Sequence, residues 1–150
     1  MPAATFPDLN PIIYPAFKKT SHDGTFDLDN CSLRFQLLTE GYDTTGASGH
    51  TVYGDVSAFV VTTAGYTGPL TEAITSANWE TAGNSRYLNV ANLTFTATAA
   101  LTARYVVCYL NSGSNNLMFY CPLHLTTTVT AAANTNLIVG FNLTHMLFIP

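Results

Sequence analysis

Residues 103–121 read ARYVVCYLNSGSNNLMFYC. Ala103 to Leu110 is apolar on both faces apart from Arg104, the pattern of a central strand covered on two sides. Asn111 to Asn116 supplies the glycine, serine and asparagine that hairpin loops need. Leu117 to Cys121 is apolar again, and Pro122 limits it because proline cannot donate to a ladder. The stretch predicts a strand, a hairpin loop and a returning strand, and so an antiparallel β class.

The rest of the chain agrees with that class. Cys31, Leu33, Phe35 and Leu37 alternate with Ser32, Arg34, Gln36 and Leu38, which predicts a half-buried strand. Residues 41–50, GYDTTGASGH, read as a loop. Residues 52–63 suit either a helical turn, through Val56, Phe59 and Val60, or a strand. Turns follow at Gly65 and at Gly68-Pro69. Leu70 to Trp79 alternates loosely, residues 83–85 form a turn, and Tyr87 to Thr98 reads as a strand. Leu123 to Thr130 reads as a threonine-rich strand and residues 131–134 as a turn. Residues 136–141 and 143–149 then close the chain as strands. About eight short strands at this spacing predict an all-β fold, an antiparallel β-sandwich or a jelly-roll-like roll, over residues 25–150.

Residues 1–24 differ. Pro2, Pro7, Pro11 and Pro15 punctuate a segment that carries Phe6, Leu9, Ile12, Ile13, Tyr14 and Phe17. Proline fixes φ and biases its predecessor to extended backbone, so the segment is expected as an extended apolar arm. Apolar surface of that extent needs something to lie on, either its own domain or a neighbouring subunit. Phe6, Ile12, Ile13, Tyr14 and Phe17 are therefore candidate interface residues. Arg104 joins them as a strand arginine set among apolar neighbours.

Composition narrows the function. At 150 residues the chain suits one domain with a real core. Only 9% of residues are charged, against roughly 25% in typical soluble domains. Twenty-three threonines supply the outward polar positions instead. Disorder is excluded, since it requires low hydrophobicity and high charge. Five basic residues and a net charge of -4 exclude nucleic acid as a partner. The N-terminus lacks a basic region followed by a continuous apolar one, so no secretory signal is expected, and no run is long enough to span a membrane.

Catalytic chemistry is not indicated. The three cysteines, Cys31, Cys108 and Cys121, are odd in number and widely spaced, which argues against a disulfide framework or a zinc site. Asp27-Leu-Asp29-Asn30 resembles a calcium loop only faintly and lacks its glycine and terminal glutamate. His50, His124 and His145 do not stand at metal-ligand spacing, and no nucleophile or phosphate-loop motif occurs. No enzyme activity, cofactor, metal or small-molecule substrate is expected. A different class of function would use exposed aromatics, Tyr53, Tyr66, Trp79 and Tyr87, to bind a surface glycan.

From about residue 24 to 148 the chain resembles a family of small virion structural proteins of tailed bacteriophages. The likeness rests on Asp23-Gly-Thr-Phe-Asp-Leu-Asp29, Leu33-Arg-Phe-Gln-Leu-Leu38 and Gly41-Tyr-Asp-Thr44. It continues through residues 55–68, Thr102-Ala-Arg-Tyr-Val-Val-Cys-Tyr109 and Leu117-Met-Phe-Tyr-Cys121. The arm and residues 143–150 fall outside it. The resemblance implies a capsid decoration (cement) protein of the virion's outer surface, assembled in the host cytoplasm. Its expected partners are the major capsid protein and further copies of itself, as a homotrimer. The same resemblance admits a minor tail, neck or receptor-binding component.

Overall fold

A computed structural model describes residues 11–23, 27–83, 85–141 and 147–148. The fold is all-β, and every ladder between its strands is antiparallel. Its centre is the hairpin of β8 (Tyr105–Leu110) and β9 (Leu117–Pro122). Every residue of β8 except Tyr105, and of β9 except Pro122, is buried. Asn115 sits at φ 46° in the connecting loop, a left-handed conformation that asparagine tolerates.

Three further strands complete this sheet: β1 (Ile12–Ile13), β2 (Asn30–Leu38) and β3 (Leu70–Thr75), in the order β1-β9-β8-β2-β3. Three smaller sheets lie around it. They pair β4 (Trp79–Ala82), β5 (Ser85–Leu88) and β12 (Leu147–Phe148); β6 (Leu93–Thr96) with β11 (Asn136–Val139); and β7 (Leu101–Ala103) with β10 (Val129–Ala131).

The strand pairing puts Phe35, Leu37, Val106, Cys108, Phe119 and Cys121 on one face of the large sheet. Phe141 packs there against Phe35 and Phe119. The other face carries Arg34, Gln36, Leu38, Tyr105, Val107, Tyr109 and Tyr120, and residues from the 39–61 region cover it. Tyr42 meets Tyr105 and Tyr120 edge-on at 5.6 and 5.7 Å, and Tyr53 stacks on Tyr109 at 4.5 Å. Gln36 is the buried polar side chain among the described residues, and its Oε1 accepts from the Tyr66 hydroxyl at 3.2 Å. That contact requires Gly68, where a Cβ would collide with both Tyr66 and Gln36.

Several expectations change in detail. The predicted strand 87–98 is two strands, β5 and β6, which pair with different partners. Residues 52–63 form the short 3-10 turns Tyr53–Asp55 and Ser57–Phe59, with isolated bridges from Val52 to Asn116 and from Val60 to Leu38. Leu123 to Thr127 is a loop, and only Val129–Ala131 of that segment pairs as a strand. The turn at 131–134 is present, with Asn134 at φ 57°. Of the predicted final strand, residues 143–146 and 149 lie outside the described residues.

Of the arm, residues 11–23 are described, and within them Ile12–Ile13 are extended as β1. At Pro15 the arm becomes α1 (Pro15–His22). The correction has a local cause: proline at the first helical position has φ already set and needs no hydrogen-bond acceptor. The side chain of Tyr14 is fully buried and that of Phe17 is 2% exposed, so this described part of the arm belongs to the same core as the rest.

Cys108 and Cys121 are buried thiols in the large sheet, and Cys31 is half-buried. Burial pushes all three above their ordinary values, Cys121 to about 12.

Candidate interface

Both candidate regions of the surface are organised by β9. Along its free edge runs the arm, with Ile12 opposite Tyr120 and Ile13 opposite Phe119. The Tyr14 amide continues this pairing by donating to the Met118 carbonyl at 3.0 Å. Beyond the C-terminal end of β9 lies the 123–128 loop, whose Leu123 amide donates to the Arg104 carbonyl at 2.9 Å.

The arm is secured by rings and phenols. Tyr14 packs against Tyr120 at 5.4 Å, and its hydroxyl shares a 2.7 Å hydrogen bond with that of Tyr42. The Tyr42 hydroxyl also meets His50 Nδ1 at 3.1 Å. Burial, reinforced by the Tyr42 hydrogen bond, holds the Tyr14 phenol far above its ordinary value. Burial pushes Tyr42 up to about 12, against the lowering effect of its bond to Tyr14. These phenols therefore stay neutral, as donors and acceptors, through the whole ordinary pH range.

The 39–61 covering is held by exposed carboxylates. Asp55 accepts from the Thr51 and Val52 amides at 2.7 and 3.0 Å, which, Thr51 first, lower its pKa. Asp43 is lowered chiefly by the Thr45 hydroxyl, at 2.6 Å. Both are turn acids with local backbone partners, the ordinary structural use of aspartate.

Arg104 lies at the break between β7 and β8. Its guanidinium stands 5.5 Å from the Tyr105 ring centroid and turns back onto the 123–128 loop. Nη1 donates to the His124 carbonyl at 2.6 Å and to that of Thr127, and Nη2 to that of Leu125 at 3.2 Å. From within the loop, His124 Nδ1 accepts from the Thr126 and Thr127 amides at 3.2 and 3.3 Å. Four residues are thus fixed through their main chain. This is why Leu123–Thr127 is not a strand: the carbonyls a ladder would use are bound by a cation about twenty positions earlier.

The candidate residues therefore divide. Ile12 is 46% exposed, while Ile13 is half-buried against the core. Tyr14, at the end of the extended stretch, and Phe17, on the first turn of α1, face the chain's own interior and are not free surface. Arg104 bonds the carbonyls of the 123–128 loop through its guanidinium. Phe6 lies outside the described residues. Leu125 is 79% exposed, and sequence reasoning misses it, because there it looks like one more position in a threonine-rich alternation.

The aromatics considered for a glycan are mostly built into the molecule. Trp79 Nε1 donates to the Leu28 carbonyl at 2.8 Å, Tyr53 stacks on Tyr109, and the Tyr66 hydroxyl accepts from the Leu37 amide at 2.8 Å. Among the described residues no group of three or more His, Cys, Asp or Glu is placed to hold a metal ion. No described helix is long and apolar enough to cross a membrane.

No family model, curated protein or solved structure matches this chain.

Proposed function

We propose that this chain is a structural protein of a virus particle, a decoration (cement) protein that covers the outer capsid surface as an oligomer and does no covalent chemistry. The observation that carries this reading is the makeup of its outer surface. Most exposed strand positions among the described residues are threonines, such as Thr71, Thr94, Thr102 and Thr130, and the charged one is Glu80. Thr102 and Thr130 even bond across their ladder, hydroxyl to hydroxyl, at 2.9 Å. Surface of this kind is wettable, yet carries little of the desolvation cost that buried charges impose at a contact. With fourteen charged residues over the whole chain, most sides can make such contacts at little cost. The resemblance from residue 24 to 148 supplies the particle and the partner, the major capsid protein.

Stabilisation would follow from mass action: a protein that binds the mature lattice and not its precursor adds its binding free energy to the shell. Symmetry multiplies many weak contacts. The test is saturable binding to emptied mature heads, together with copy number in purified particles. Binding with a copy number that scales with shell area supports decoration. A handful of copies per particle, or no affinity for heads, overturns it.

A further inference from the structure

Of the large apolar side chains described, Ile12 and Leu125 stand exposed, and Leu125 by far the more. A single exposed leucine is ordinary. The loop that carries this one is not, because a guanidinium bonded to three carbonyls and an imidazole bonded to two amides hold it in one shape. Every one of those bonds goes to main chain, so they fix the direction of Leu125 without covering it. A side chain presented this way loses little freedom on docking.

The other end of β9 holds a cavity of about 310 Å³, lined by Ala16, Phe17, Thr20, Thr51 and Leu117 together with Lys19, Asp23 and Asn116. That is the lower edge of the roughly 300–1,000 Å³ range of clefts that hold a guest. Its apolar part comes from α1 and the first residue of β9. Leu117 and Pro122 are five strand steps apart, roughly 17 Å. Arg104 pins the loop at the far end, so Leu125 does not reach this cavity in its own chain.

We propose that Leu125 of one copy inserts into the α1 cavity of a second copy. The proposal rests on the assembly reading above and names the contact that builds it. Knob and hole are different surfaces at opposite ends of one strand, so the contact is head-to-tail, and copies related by rotation close into a ring. The position of the hole also gives the arm a role in assembly, since α1 forms one wall of the socket.

The experiment measures self-association by sedimentation velocity over a range of concentrations. Wild type is expected to associate. Leu125→Asp, which spoils the knob, and Ala16→Trp, which fills the hole, are each expected to weaken association roughly 10- to 100-fold. An equimolar mixture of the two variants is the decisive arm. One intact knob and one intact hole remain between them, so the mixture is expected to form pairs and nothing larger. Leu125→Asp that associates like wild type overturns the knob and leaves the assembly reading standing. Variants that stay monomeric even when mixed overturn the pairing of knob with hole. A monomeric wild type overturns the proposal and the assembly reading together. Leu125→Ser with a melting temperature equal to wild type guards against misfolding as the cause.

Discussion

Two segments flank β9, and they differ in what their side chains do. The arm joins β9 through its short main-chain ladder and is then locked by its side chains: Tyr14 and Phe17 go into the core, and a phenol pair ties it to Tyr42. The 123–128 loop is fixed by its main chain, through Arg104 and His124. A segment anchored by side chains has committed its apolar groups to its own fold. A segment anchored by its carbonyls and amides keeps its side chains free, and can show a leucine to the outside.

The contrast is sharpest when each anchor is removed. Phe17→Ala removes a buried ring and should cost about 3–5 kcal/mol in a denaturant titration. A cost near zero would mean that the arm only rests on the sheet. Arg104→Ala should cost less, about 1–3 kcal/mol, with fast amide exchange appearing at 124–127 while β8 and β9 stay protected. Global loss of protection would erase the distinction between the two anchors. Tyr14→Phe removes one hydrogen bond and should cost about 1 kcal/mol.

The same phenols set an alkaline limit. Their folded pKa values are raised, so their contribution is complete below the ordinary tyrosine value of 10.0 and is lost as pH climbs above it. Melting temperature should fall from about pH 10 upward, less steeply in Tyr14→Phe. The smallest effect belongs to Leu125→Ser, within about 0.5 kcal/mol of wild type, because a mostly exposed side chain contributes little to its own fold.

Much of the centre was legible in the sequence, because it is local. The β8–β9 hairpin is two apolar runs around an asparagine-rich turn, and β2 alternates from Cys31 to Leu37. What was hidden depends on partners distant in sequence. Arg104 stands out as a cation among apolar residues, yet its acceptors lie some twenty residues further on. The repeated prolines that suggest an extended arm also conceal that Pro15 is well placed to start a helix. Leu125 gives no signal at all, since its exposure follows only from the way the loop is tied. Tyr42, which joins the arm to the tyrosine cluster, sits in a glycine- and threonine-rich stretch that reads as featureless.

Cys108 and Cys121 sit inside the large sheet with their protons held on by burial. Thiol–disulfide exchange begins with a thiolate and needs access to it, and these two sulfurs offer neither. Their covalent state should therefore be the same in a reducing compartment as in air, so the centre of the fold would pass from one to the other without gaining or losing a crosslink.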